Sequence, residues 1–305
     1  MALIELISKD LNIDVGYLNN IAKRNDLYKK FYIPHNTKKR KILQPSKELK
    51  VVQYWMCKKF FCDFPKSEFS RAYDKGCSIQ KNAKVHANNN YILHMDIKNF
   101  FPSIDREMVK KLFDNNQDIV RKWELDERDI DFILNIVLYR GNNLVIGSVA
   151  SPLISNLVML DFDNKIYSIL KKEGDFTYTR YADDIVVSSQ HFIPSKLITD
   201  IETVIKEYGF YPNKNKTYFM NKSSRRQVTG VVIDNNTNCV TIGTSRYKEI
   251  KSYLYKFLVK KEGNINQLQG YLAFVRDVNE KQYEQLKNIY SRYDKNKQLF
   301  IWTDL

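Results

Sequence analysis

Apolar and polar positions along this chain follow two rhythms, and the switches between them mark out its elements. Residues 2–30 carry apolar side chains at helical spacing and predict two short helices. Asp14 stands where the second would be capped, with Leu18, Ile21 and Ala22 on its buried face. From 31 to 45 apolar and basic residues alternate up to Pro45, which predicts a two-stranded ribbon with a basic turn at 35–40. Helical spacing returns over 46–62. Residues 91–97 form a short apolar strand ending on Asp96. Helices are expected at 105–115 and 126–139. Another starts at Ser151-Pro152, where proline's missing N–H costs little. Two strand-like runs flank Ala182-Asp183 within 176–189. A helix near 196–209 and strands near 216–220, 226–234 and 239–242 follow.

The last sixty residues change character. Ile250, Tyr253, Leu254, Phe257 and Leu258 recur at helical spacing, with Lys248, Lys251, Lys256, Lys260 and Lys261 mostly off that stripe. Two more helices are expected at 264–276 and 279–293. The mixed order of strands and helices predicts an α+β fold with an all-helical C-terminal lobe. The longest uncharged stretch, 141–160, holds Gly147 and Pro152 among serines and asparagines. It reads as a loop entering a buried helix, and no membrane association is expected.

Charge then narrows the class. Lys and Arg outnumber Asp and Glu by 49 to 35, a net +14 that points to a polyanionic partner. Twenty Tyr, seventeen Phe and three Trp suit stacking against RNA bases, although most rings belong to the core. Cys57, Cys62, Cys77 and Cys239 have no zinc-site spacing and read as free thiols in a reducing cytoplasm. The N-terminus lacks the pattern of a signal peptide.

Three carboxylates carry the chemistry. Adjacent residues on a regular strand point to opposite faces, so Asp183 and Asp184 can serve one site only in a tight turn. Two carboxylates on a hairpin tip repel each other, and Mg²⁺ with oxygen ligands is the natural counter-charge. Alone, such a pair reads as a solvated turn. Asp96 at the end of its own strand changes that, because two metals roughly 3.5–4 Å apart need carboxylates from neighbouring backbones.

Tyr181-Ala182-Asp183-Asp184 together with Asp96 resembles the reverse transcriptases, and the resemblance covers nearly the whole chain in order. It implies a right-hand polymerase fold. N-terminal helices and fingers would occupy 1–90, the catalytic palm with some fingers elements 91–242, and a helical, RNA-gripping thumb 243–305. It implies two Mg²⁺ ions held by Asp96, Asp183 and Asp184. Arg40 falls on the fingers ribbon. Phe101, five residues after Asp96, falls on the steric gate that favours deoxynucleotides. Gly147 and Ser151-Pro152 match the motif that positions template and nucleotide, and Lys216 matches a lysine near the pyrophosphate. Ile146 replaces the family's usual Gln, as in the diversity-generating enzymes, and implies altered fidelity or nucleotide affinity.

Asn82-Ala83-Lys84-Val85-His86 and Val228-Thr229-Gly230 match two signatures of the retron group. Asn82, His86, Val228, Thr229 and Gly230 are therefore expected to contact RNA or primer, although Asn82 and His86 can equally satisfy buried backbone. The resemblance implies a cognate structured non-coding RNA and priming from a guanosine 2′-hydroxyl. The product would be a branched RNA-linked single-stranded DNA (msDNA). It also implies template removal by a host RNase H, a separate effector protein and a role in phage defence. The alternatives are another bacterial reverse transcriptase (diversity-generating, abortive-infection or intron type) and a non-catalytic RNA-binding protein on the same fold.

Overall fold

A computed structural model describes residues 3–35, 38–294 and 299–300. The chain opens with α1 (Leu3–Leu11) and α2 (Val15–Lys23), and the Asp14 side chain accepts from the Tyr17 N–H as the cap of α2. Leu18 and Ile21 are buried as expected, while Ala22 is only partly so. β1 (Tyr28–His35) and β2 (Lys38–Pro45) form the antiparallel ribbon, in register from Tyr28↔Pro45 to His35↔Lys38. The middle of its basic turn, 36–37, lies outside the described residues. Next come α3 (Lys47–Trp55), α4 (Ile79–His86), β3 (Tyr91–Asp96), α5 (Phe100–Ser103), α6 (Arg106–Asn115), α7 (Gln117–Lys122) and α8 (Glu127–Val137). Then follow α9 (Ser151–Val158), α10 (Leu160–Glu173), β4 (Thr177–Tyr181), β5 (Asp184–Ser189), α11 (Ser195–Glu207) and β6 (Tyr218–Asn221). The chain ends in β7 (Arg226–Val228), β8 (Val231–Ile233), β9 (Val240–Thr241), α12 (Thr244–Tyr255), α13 (Ile265–Val278) and α14 (Glu280–Tyr290).

One expected element splits. The run 226–234 is not a single strand but the antiparallel pair β7–β8, because Thr229 and Gly230 both have positive φ (47° and 82°). Two consecutive residues of that kind make the tight turn whose twist matches a hairpin.

The chain divides into two compact, interleaved units. The first holds Met1–Lys75, Asp96–Gly174 and Pro194–Asn215; the second holds Gly76–Met95, Asp175–Ile193 and Lys216–Leu305. In the first, an aromatic cluster of Phe60, Phe61, Phe64, Phe113, Trp55 and Trp123 joins α3, α6 and the segment after α7. Buried Gln53 on α3 uses its whole amide: Nε2 donates to the Ile136 carbonyl at 2.8 Å, and Oε1 accepts from Ser148 Oγ and the Val149 N–H. That fixes the loop before α9. In the second, the sheet has the order β4-β5-β3-β6, with β7-β8-β9 a separate small sheet. Ala83, Ile92, Val186, Val228, Val231, Ile250, Leu254, Leu272 and Leu286 belong to one core. Helices α12–α14 thus share their core with α4 and both sheets. Each large aliphatic side chain there contributes about 1.5–3 kcal/mol by leaving water.

Candidate active site

Asp96 is the last residue of β3 and belongs to the first unit. It is 2% exposed. Asn213 holds it twice: its Nδ2 donates to Asp96 Oδ1 at 2.7 Å, and its backbone N–H donates to the Asp96 carbonyl at 2.8 Å. The Lys98 N–H donates to the Tyr211 carbonyl, so the segment 211–213 runs beside the strand end. Buried carboxylates need such partners. Past Asp96 the backbone turns at Asn99 (φ 53°) into α5, which carries Phe101 half-buried, its ring 6.3 Å from that of Tyr73.

In the second unit, β4 and β5 pair with Tyr181 opposite Asp184, leaving Ala182 and Asp183 as the turn. Ala182 has φ 56° and is buried, a conformation that costs an L-residue roughly 1–2 kcal/mol. Fully buried Arg180 donates from Nη1 to the Ala182 carbonyl at 3.2 Å, which holds the turn. Asp184 Oδ1 lies 3.2 Å from His94 Nε2 on β3. The other ring nitrogen, Nδ1, is bonded to the Lys216 carbonyl at 3.0 Å, and Tyr218 stacks on the ring at 4.7 Å. His94, Tyr181, Asp184, Tyr218, Thr229 and Gly230 line a cavity of about 250 Å³. Burial first, then the charges of Cys77, Asp277 and Asp184, raise the Tyr181 phenol above its ordinary value.

Three of the five retron-signature residues, Asn82, His86 and Val228, are buried. Asn82 and His86 are fully buried, so they cannot touch RNA directly. His86 Nε2 is bonded to Thr179 Oγ1 on β4 and Nδ1 to Ser188 Oγ on β5, both at 2.7 Å. Thr179 Oγ1 donates to Asn82 Oδ1 at 2.7 Å, and Asn89 Nδ2 donates to Ser188 Oγ at 2.7 Å. A neutral imidazole with its proton on Nε2 completes one directed chain, from Asn89 through Ser188, His86 and Thr179 to Asn82. Side chains alternate along strands, so Thr179 and Ser188 share the hairpin face that bears Asp184. The motif therefore clamps both strands of the Asp-Asp hairpin. Val228 is also fully buried, in the core, which removes it as an RNA contact. Thr229 is partly exposed and Gly230 exposed, at the cavity beside Asp184. Arg226 is buried too, and donates from Nη1 to the Ala87 and Asn89 carbonyls, which ties β7 to the end of α4.

The nucleotide-binding candidates fall in both units. Arg40 is exposed on β2. The Ile146 carbonyl accepts from the Leu43 N–H at 2.9 Å, which lays its loop along the same ribbon, and the Ile146 side chain is partly exposed. Gly147 has φ 107°, and a Cβ there would sit 2.8 Å from the Leu43 carbonyl oxygen, so only glycine fits. Lys216 is exposed at the end of a single 3₁₀ turn, 214–216.

Among the described residues, no group of three or more His, Cys, Asp or Glu side chains forms a ready-made metal cage. Asp96 is instead held by Asn213, and Asp184 by His94. Asp96, Asp183 and Asp184 still offer only hard oxygen donors, which suit a hard divalent cation. All four cysteines are free, and burial pushes the Cys57 thiol up to about 11, as befits a structural thiol. Among the described residues no helix is long and apolar enough to cross a membrane.

Comparison with known proteins agrees with this geometry. The family described as reverse transcriptase (RNA-dependent DNA polymerase) matches residues 21–233. The retron Ec86 reverse transcriptase of Escherichia coli is 32% identical over 257 residues, covering 84% of this chain and 77% of that one. The retron Ec73 reverse transcriptase, also of Escherichia coli, is 31% identical over 303 residues, 95% of each chain. Among solved structures, a telomerase from Candida albicans in complex with a fragment of telomeric RNA superimposes with a TM-score of 0.51 at 12% identity. That match covers 90% of this chain but 56% of the telomerase chain, and it speaks for the fold alone. The expected α+β polymerase fold, with helices and antiparallel sheets, is borne out.

Proposed function

We propose, since this chain belongs to the reverse transcriptases and within them to the retron enzymes, that Asp96, Asp183 and Asp184 are its catalytic carboxylates and hold its divalent cations. The chain is an RNA-directed DNA polymerase, and RNA template and deoxynucleoside triphosphates are its substrates. The observation that supports the site best is the two-residue turn that presents Asp183 and Asp184, fixed from below by Arg180 and from the side by His94. These acids would hold the divalent cations, Mg²⁺ in our reading and two per site, which would supply Lewis acidity to phosphoryl transfer.

The protein's own groups do the positioning. Asn213 keeps the Asp96 carboxylate from rotating, and His94 does the same for Asp184. Phe101 closes the space that a ribose 2′-hydroxyl would need. Arg40, Ile146, Gly147 and Lys216 face the nucleotide in this reading, and Thr229-Gly230 meets RNA or primer. Fingers, palm and thumb then correspond to 1–90, 91–242 and 243–305.

The finer retron reading is also ours. The enzyme binds a cognate non-coding RNA, primes from a guanosine 2′-hydroxyl and makes msDNA in the cytoplasm. Host RNase H removes the template, and a separate effector acts with the complex in phage defence. Phage plaque counts on cells with and without the locus test that last role, and equal counts would oppose it. The matches to retron enzymes over most of their length favour this over the diversity-generating, abortive-infection and intron types.

Purified protein given a primed RNA, Mg²⁺ and nucleotides tests the polymerase site. Wild type is expected to extend with deoxynucleotides. Phe101→Ala is expected to incorporate ribonucleotides at least about tenfold more readily, because one lost steric clash is worth about 1–3 kcal/mol. Ile146→Gln is expected to change the error frequency of the same product. Unchanged sugar selectivity in Phe101→Ala would remove the steric-gate assignment.

A further inference from the structure

The joint between α13 and α14 faces the start of α4 across a pocket of about 480 Å³. Gln80 Nε2 on α4 donates to the Val278 carbonyl at 3.0 Å and holds that joint in place. Leu272 and Tyr283 give the pocket an apolar floor. Tyr283 is 2% exposed, and its buried hydroxyl has no hydrogen-bond partner among the described residues. A native structure leaves few such groups, and each calls for a reason. The Arg276 guanidinium lies 5.9 Å from the centre of the Tyr283 ring. Asp277 and Glu280 complete the wall, and among the described residues Arg276, Asp277 and Glu280 form no salt bridge. One small concavity thus gathers a cationic donor and two anionic acceptors over the Tyr283 side chain.

That set excludes simple ligands. A phosphate would meet Asp277 and Glu280. A metal ion would meet Arg276. An apolar group would strand all three charges away from water. The set fits a neutral, flat ligand with acceptors on one edge and donors on the next. Among the bases, guanine has two acceptors, O6 and N7, that take both arms of an arginine fork, and two donors, N1–H and N2–H, that suit a carboxylate. Cytosine offers one donor group, and adenine lacks the paired acceptors. We propose that this pocket captures a guanine base turned out of the RNA, with Arg276 donating to O6 and N7 and Asp277 or Glu280 accepting from N1–H and N2–H. The inference rests on the RNA-copying reading only for its source of the base.

The test is ligand-observed saturation-transfer NMR on the full chain with EDTA present, using guanosine, adenosine, cytidine and uridine separately. Guanosine alone is expected to show strong transfer. Arg276→Met is expected to weaken guanosine binding at least tenfold, and Glu280→Gln and Asp277→Asn in combination to do the same. Equal transfer from all four nucleosides, or undiminished guanosine binding in Arg276→Met, overturns the pocket. Wild-type extension of a primed RNA separates the two readings. A protein that copies RNA but does not select guanosine refutes the pocket alone. A protein that selects guanosine but does not copy RNA supports the pocket and refutes the polymerase site.

Discussion

Replacing Asp183 and Asp184 together by Asn is expected to cut DNA synthesis on a primed RNA by at least about 10³-fold, since loss of a single preorganised electrostatic partner in an active site costs about 10²–10³. Asn keeps the size and one oxygen of Asp but removes the charge that would hold a divalent cation. The turn should survive, because its geometry comes from the Tyr181↔Asp184 register and from Arg180 beneath Ala182. Relief of carboxylate repulsion would even favour folding slightly. RNA affinity should change by less than about threefold, since it depends on Lys and Arg contacts with phosphates spread over the surface. Primer extension and filter binding, run on one preparation, separate the two effects. Synthesis within tenfold of wild type would remove these residues from the chemistry.

The second large effect is expected at His86. Alanine there leaves the hydroxyls of Thr179 and Ser188 without their shared partner and opens a cavity beside the hairpin. Each hydroxyl keeps one partner, Asn82 for Thr179 and Asn89 for Ser188, so the two lost hydrogen bonds cost about 0.5–1.5 kcal/mol each, and the cavity brings the total to about 3–5 kcal/mol. For a unit of this size that lowers the melting temperature by about 10 °C. Because the network holds the strand of Asp184, catalysis should fall further than the folded fraction does. Thr179→Val removes the link from His86 to Asn82 with little change of shape, so a His86/Thr179 double-mutant cycle should show coupling of about 0.5–3 kcal/mol. Additive losses would mean that the chain of hydrogen bonds does not act as a unit.

Much of the site was legible in the sequence, for identifiable reasons. Period-two alternation on both sides of Ala182-Asp183 already required a hairpin with the acids at its tip, and Asp96 at a strand end was equally plain. The partners of those acids were not legible. His94 reads as one polar residue in an apolar strand, and only the placement of β3 in the sheet brings it to Asp184. Asn213 reads as a turn residue, and nothing local reveals that it grips Asp96 from 117 positions away. Arg180 looks like a surface charge on a strand, yet it is fully buried.

The retron signatures were visible as motifs, but not that Asn82, His86 and Val228 among them are buried. A signal was present: Asn82, Ala83 and His86 fall at i, i+1 and i+4, one face of a helix, and small Ala83 between two polar side chains marks a close-packed face. Val228-Thr229-Gly230 looked like part of one strand because Val and Thr favour strands. The reversal at Thr229 requires a positive φ that a β-branched residue seldom adopts, so local propensity pointed the wrong way.

The most direct measurement is to purify the protein with the nucleic acid it binds in the cell and to sequence that material with and without RNase. The expected material is a short DNA complementary to part of a structured RNA and joined to it through a 2′ branch, so that RNase shortens the molecule but leaves the DNA bearing a ribonucleotide stub. Bound RNA with no complementary DNA, from wild type given Mg²⁺ and deoxynucleotides, would contradict it.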